Sequence, residues 1–369
     1  MIYFDNAATT FKKPKCVVRE VEKCIKKYCG NPGRSAHRLS VSAGEKIYET
    51  REAIANLLKL ENCENIVFTL NATYALNMAI KGLVREKCHI IISDIEHNSV
   101  LRPVYTLCRD YEVEYSVFDS SKTNIEAEIE SHIRKDTKFI ISTLASNVNG
   151  REIPLRVLSA IKQKHNLKLI IDASQMIGHK EINLSRYKFD ALCAPAHKAL
   201  FGIQGCGFCV FSAKEYIDTL VEGGSGSESR SPFMPEHLPE RMEAGTLCTP
   251  AIASLCEGIR FIDSVGLDEI SAKLEILTSK TLDILQSIPE IKIYGGNSGV
   301  ISFTYEKLSA EALSAILDKN GVCVRAGLHC APLAHDSIGS RTGSVRISYS
   351  YFNSEKEIQR FYKILKSIC

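Results

Sequence analysis

The chain has 369 residues, 45% hydrophobic and 24% charged, which excludes disordered, collagenous and coiled-coil classes and fits a large globular domain with a smaller companion. A net charge of +3, from 46 basic and 43 acidic residues, is too even to name a nucleic acid or a membrane surface as partner. No apolar run approaches the ~18 residues of a spanning helix, and the N-terminus lacks a basic lead and an apolar core, so the expectation is a soluble, cytoplasmic protein.

In chain order, the first long periodic stretch is 40–60, where Val41, Ile47, Ile54, Leu57 and Leu58 form the apolar stripe of a helix. The β-branched run at 65–68 reads as a strand, followed by a helix over 72–83. Strands at 89–92, 138–142, 168–171, 190–193 and 207–211 continue the alternation, with helices at 99–109 and 155–165 between them. This βα rhythm predicts an α/β fold whose mostly parallel sheet is buried on both faces. Residues 251–288 turn helical for longer, and 291–294 and 299–304 read as strands of another unit, which places a domain boundary near Phe261.

The 14 cysteines, scattered from Cys16 to Cys369, lack the tight spacing of a disulfide scaffold and read mostly as reduced, small core residues, with Cys369 a solvated tail thiol. Cys206-Gly207-Phe208-Cys209 has CxxC spacing but opens an apolar strand without a second pair, so no metal is expected. The flexible stretch Gly224-Ser225-Gly226-Ser227-Glu228-Ser229 breaks the dinucleotide fingerprint at its last position and joins no strand to a helix.

Ligands of open α/β sheets bind beyond the carboxyl ends of the strands, so the polar residues closing each apolar run are the candidates. They include Asp172, His97, Asn147 and Lys198. An Asp at one strand end and a Lys 26 residues later, past the next strand, suit pyridoxal phosphate: the amine makes a Schiff base while the carboxylate keeps the pyridine nitrogen protonated. Asn71-Ala72-Thr73, where a strand gives way to a helix, offers N–H groups, a dipole and a hydroxyl to the phosphate. Taken singly, Asp172 also fits a helix cap, Lys198 a solvated lysine, His97 a structural histidine and Thr73 a helix-terminal residue. Their co-location carries the functional reading.

A second focus is Arg325-Ala326-Gly327-Leu328-His329-Cys330, where an arginine can clamp a carboxylate and Cys330 is either an exposed nucleophile or one more packed thiol. Arg346 either binds a carboxylate or covers a strand edge. As a nucleophile Cys330 must be the thiolate, favoured by His329, a backbone dipole or the substrate.

With Asp172-x-x-Gln175, His197-Lys198, Glu243-Ala244-Gly245-Thr246 and Arg325-x-Gly327-x-His329-Cys330 in order, the chain resembles the class V aminotransferase family, specifically its cysteine desulfurase and selenocysteine lyase members. The likeness runs from Tyr3-Phe4-Asp5-Asn6-Ala7-Ala8-Thr9-Thr10 to Arg346 and Asn353. It implies the fold type I of pyridoxal phosphate enzymes: a large domain (15–261) with a seven-stranded sheet, a small α+β domain (1–14 and 262–369), and a homodimer with shared active sites. It also implies that Lys198 carries the cofactor, Asp172 pairs with its ring nitrogen, Gln175 donates to its ring oxygen and His97 stacks on the ring. Thr73 and His197 then bind the phosphate, Thr246 reaches the neighbouring subunit's phosphate, Asn147 and Arg346 hold the substrate carboxylate, and Arg325 shapes the loop or the substrate pocket.

The implied reaction converts L-cysteine, or L-selenocysteine, to L-alanine and leaves the sulfur on Cys330 as a persulfide. The short spacing around Cys330 resembles the group II branch, whose members pass the persulfide to a docked acceptor protein. One departure is Pro195, where the family has a serine; a proline supplies no hydroxyl to the phosphate. The alternatives are a selenocysteine lyase, another class V aminotransferase, or a non-catalytic binding protein on the same scaffold.

Overall fold

The computed structural model describes residues 1–33, 35–212 and 216–368; Cys369 lies outside the described residues. The first part of the chain runs β1 (Ile2–Tyr3), α1 (Lys15–Lys27), α2 (Arg38–Leu58), β2 (Ile66–Thr69), α3 (Ala72–Leu83), β3 (His89–Ser93), α4 (Asn98–Tyr111) and β4 (Glu114–Phe118). It continues through α5 (Ile125–Ser131), β5 (Thr137–Thr143), α6 (Leu155–His165), β6 (Lys168–Asp172), β7 (Ala191–Pro195) and β8 (Gly207–Phe211). Then come α7 (Thr249–Val265), α8 (Leu267–Gln286), β9 (Ile291–Asn297), β10 (Val300–Tyr305), α9 (Ala310–Lys319), β11 (Val322–Cys323), β12 (Arg325–Gly327), α10 (Pro332–Ser337), β13 (Ser344–Ser348) and α11 (Glu355–Ile368).

Seven strands form one sheet in the order β2-β8-β7-β6-β5-β3-β4. Only β8 runs against its neighbours; the other pairings are parallel. Successive side chains point to opposite faces, so Ile91, Ile140, Ile171 and Leu192 pack with α2, α6 and α7. Ile90, Ile92, Ile141 and Ile170 pack with α3 and α4 on the other side. Both faces are covered, which explains the continuous apolar runs of the inner strands.

A second sheet, β12-β13-β10-β9, is antiparallel. The chain ends meet beside it: β1 pairs in parallel with β11, and Asp5 bridges to Ser348. The boundary expected near Phe261 falls inside α7, which continues to Val265. Gly266, with φ of 91°, divides α7 from α8; that region favours glycine, and it breaks what reads in sequence as one long helical run.

Candidate active site

A cavity of about 200 Å³ opens at the carboxyl ends of the parallel strands. Its lining contains Thr73, His97, Asn147, Asp172, Gln175, His197, Lys198, Arg325 and Arg346, nine of the residues singled out by sequence. They come from the ends of β5, β6 and β7, the starts of α3 and α4, and the second sheet.

Lys198 follows β7 in a turn that the N-terminal segment clasps: Thr10 Oγ1 donates to Lys198 O at 2.8 Å, and Thr10 N and Lys13 Nζ donate to His197 O at 3.1 and 3.0 Å. Burial pulls the Lys198 amine down to about 8, while the Asp172 charge opposes that shift. Asp172 Oδ1 accepts from Ser174 N at 2.9 Å, so the carboxylate also braces its own turn, and the capping reading and the cavity reading hold together.

His97 caps α4, its Nδ1 accepting from Ser99 N at 3.0 Å. A ring nitrogen that accepts carries no proton, so the neutral ring holds its proton on Nε2. The ring is neutral because burial, then the nearby Lys198 charge, pull it down to about 4. The buried carboxyl of the preceding residue, Glu96, accepts from Ser93 Oγ and from Thr143 N, the latter at 2.8 Å, and burial pushes it up to about 8.

Also in the cavity lining, Asn71 caps α3 by accepting from Tyr74 N at 3.1 Å, which leaves the N–H groups of Ala72 and Thr73 without partners inside the helix. Thr73 Oγ1 and Ser99 Oγ lie 2.8 Å apart. β8 approaches this terminus so closely that a Cβ on Gly207 would sit 2.5 Å from the Asn71 carbonyl carbon. His197 Nδ1 is buried without a hydrogen-bond partner, and burial pulls the ring down to about 4. An unpaired imidazole nitrogen, a helix N-terminus and hydroxyls converging on one pocket are the donor set of an anion site. With an amine and a carboxylate lining the same cavity, the residues fit pyridoxal phosphate.

Arg346 is buried in β13. It donates to Asp5 Oδ1 at 2.7 Å through Nη2 and to Asn147 O at 2.9 Å through Nη1. Asn147 Nδ2 donates to His329 O at 2.8 Å, tying the cysteine loop to the end of β5. Gln175 Nε2 donates to Ala7 O at 3.0 Å, which leaves its second amide hydrogen uncommitted.

Cys330 is exposed rather than packed. Its Sγ lies 3.7 Å from Arg325 Nη2, and its carbonyl accepts from Asn98 N at 2.7 Å, which fixes the loop against the start of α4. His329 does not serve as the thiol's partner. Its ring is buried and stacked on His335, Nδ1 to Nε2 at 3.0 Å, and its Nε2 faces Arg325 O at 3.3 Å. Burial pulls it down to about 2, so it offers no positive charge at neutral pH.

Thr246 is exposed and outside the cavity lining of this single chain. Glu243, three residues earlier, is buried against Arg51 and accepts from Phe68 N at 2.6 Å, anchoring the segment to β2. Cys209 Sγ faces Cys193 Sγ at 3.6 Å inside the sheet, so Cys209 belongs to strand packing, and Cys206 is buried just before β8. Sequence reasoning passed over Ser174 and Ser99, which line the cavity within runs it had quoted, and Asp5, which lies 341 positions from the arginine it pairs with.

The model of the family described as aminotransferase class-V matches residues 2–361. The chain belongs to the class V aminotransferase family. A probable cysteine desulfurase of Methanothermobacter thermautotrophicus is 30% identical, over 100% of this chain and 94% of its own. A cysteine desulfurase of Klebsiella pneumoniae is 28% identical over 100% and 93%. Among solved structures, the apo cysteine desulfurase of Thermococcus onnurineus superposes with a TM-score of 0.92 at 30% identity, over 100% and 94%. A C-DES mutant with glycine covalently linked to the PLP cofactor has a TM-score of 0.86 at 18% identity, over 98% and 95%, and shares the fold.

Proposed function

We propose that this class V enzyme is a pyridoxal phosphate-dependent cysteine desulfurase that converts L-cysteine to L-alanine and collects the sulfur on Cys330. The observation that carries the reading is one cavity holding a lowered amine, a carboxylate and a buried arginine, with an exposed thiol 3.7 Å from the Arg325 that lines it. The names of the relatives support the substrate.

When bound, pyridoxal phosphate supplies an electron sink that stabilises negative charge at the substrate Cα. Thr73, His197 and the α3 N-terminus would hold its phosphate, and Ser99, whose hydroxyl lies 2.8 Å from that of Thr73, would supply the hydroxyl that Pro195 lacks. Asp172 would hold a proton on the pyridine nitrogen, His97 would stack on the ring, and Gln175 would donate to the ring oxygen. Lys198 would anchor the group, and its Nζ would take the substrate Cα proton; an amine titrating near 8 is a competent base at neutral pH. Asn147 and Arg346 orient the substrate carboxylate, and Arg325 draws the Cys330 thiolate toward the cavity. Cys330 Sγ attacks the substrate sulfur: an S–S bond forms, the C–S bond breaks with its electron pair returning to the substrate β-carbon, and protonation there together with return of the Cα proton from Lys198 Nζ completes alanine.

The Cys330 loop is short, with residues 328–331 between β12 and α10, so the thiol moves little and an acceptor protein docks to receive the sulfur. The reading includes a homodimer, in which Thr246 serves the partner's phosphate; the exposed Leu70 and Tyr74, flanking the Asn71–Thr73 cradle, suit a covered face. Free thiols among the described cysteines suit a reducing, cytoplasmic compartment. Within this reading the large and small domains comprise 15–261 and 1–14 with 262–369.

The test is a pair of variants. Lys198→Ala should lose cofactor absorbance and all turnover, whereas Cys330→Ser should keep the absorbance and lose sulfur transfer from cysteine. Alanine release from cysteine at the parent rate by Cys330→Ser would refute the thiol's role. A parent that releases alanine from selenocysteine alone would be a selenocysteine lyase.

A further inference from the structure

Two arginines meet across adjacent strands at the substrate end of the cavity. Arg325 on β12 and Arg346 on β13 are register partners, and both line the cavity. Like charges directly opposite on neighbouring strands repel, and a buried guanidinium needs a counter-ion. Asp5 is that counter-ion for Arg346, at 2.7 Å.

Asp5 is built into the fold rather than standing in for a substrate that would displace it. Phe4 N donates to Cys323 O at 2.9 Å and Ser348 N to Phe4 O at 2.6 Å. Asn6 Nδ2 donates to Ser348 O at 2.9 Å and Ala7 N to Ser348 Oγ at 2.8 Å. The backbone is therefore pinned on both sides of the carboxylate. Two guanidinium charges set against one carboxylate leave a single positive charge, matched to one substrate carboxylate; the carboxylate in the cavity lining, Asp172, acts on Lys198.

We propose that Asp5 is a specificity-determining residue: as the resident counter-ion of the Arg325–Arg346 pair, it restricts the site to amino acids with one anionic group and disfavours dicarboxylic ones. This rests on the reading that Arg346 holds the substrate carboxylate, and narrows it to substrate charge. Once that carboxylate docks, the arginine pair is neutralised, and a second carboxylate meets no net positive charge in a site where charges interact strongly. Removing the Asp5 charge while keeping its shape leaves one positive charge for that second group.

The experiment titrates the holoenzyme with L-asparagine and L-aspartate, which share a shape and differ by one charge, and reads binding from the cofactor absorbance. The parent should bind asparagine at least about tenfold more tightly than aspartate. Asp5→Asn should shift that preference at least about tenfold toward aspartate, and Asp5→Glu should retain it. An unchanged preference in Asp5→Asn, or equal weakening of both ligands, overturns the proposal. If Asp5→Asn fails to fold, judged by its melting temperature, the parent decides: equal or tighter binding of aspartate overturns it. Arg346→Gln tests the underlying assignment separately; asparagine binding unchanged in that variant would refute the carboxylate site itself, whatever Asp5 does.

Discussion

At Lys198 two effects act in opposite directions on one amine: burial favours the neutral form, and Asp172 favours the charged one. Burial wins, and the amine titrates near 8 instead of 10.5. The free-base fraction rises with pH, so acylation of Lys198 in cofactor-free protein, followed by mass mapping, should be half-maximal near pH 8. Asp172→Asn removes the opposing charge and should move that midpoint lower; a midpoint near the ordinary lysine value in the parent would contradict the burial argument. Lys198 and Asp172 were legible in sequence because strand ends converge on one crevice. The arrangement at His329 was not legible, because adjacency to Cys330 in the chain says nothing about where the ring points. It points at His335, and the cation shown beside the thiol is Arg325, 3.7 Å away. Arg325→Gln should therefore slow alkylation of Cys330 severalfold at neutral pH, read by mass mapping, while leaving cofactor absorbance intact.

Among the elements, the phosphate cradle depends on how closely β8 can approach the start of α3. A Cβ at Gly207 would lie 2.5 Å from one Asn71 backbone carbon and 2.8 Å from Ala72 N. Backbone cannot yield as a side-chain tip does, so Gly207→Ala should cost about 1–3 kcal/mol of stability. It should also weaken pyridoxal phosphate binding in a fluorescence titration; cofactor affinity unchanged in that variant would separate the cradle from this approach. The inner strands and most helices of the large sheet were legible because buried strands read as apolar runs and helices as 3.6-residue stripes. β4 was missed because it is an edge strand whose first two residues are exposed, so it lacks the apolar run that marked its neighbours. The long helical reading over 251–288 hid the break at Gly266, since a lone glycine within a periodic pattern does not show whether it is kinked.

Across the whole molecule, the site is assembled from distant parts of the chain. The N-terminal segment supplies Ala7 and Ala8 to the lining and Asp5 behind Arg346, while the second sheet brings Arg325 and Arg346 to the strand ends of the first. No pattern in one dimension encodes that meeting; only the family resemblance pointed to it. The exposed Thr246 belongs to this scale too. If it serves a neighbouring subunit, Thr246→Val should weaken cofactor binding several-fold while leaving the protomer folded, and light scattering should report a dimer of the parent.

In the proposed reaction, sulfur leaves cysteine for the thiol at position 330. Its most direct measurement is peptide mass mapping of the holoenzyme after one turnover with L-cysteine and rapid alkylation, with alanine quantified in the same sample. One additional sulfur is expected on the Cys330 peptide, equimolar with alanine. Alanine formed without that extra sulfur, or with it on another cysteine, would contradict it.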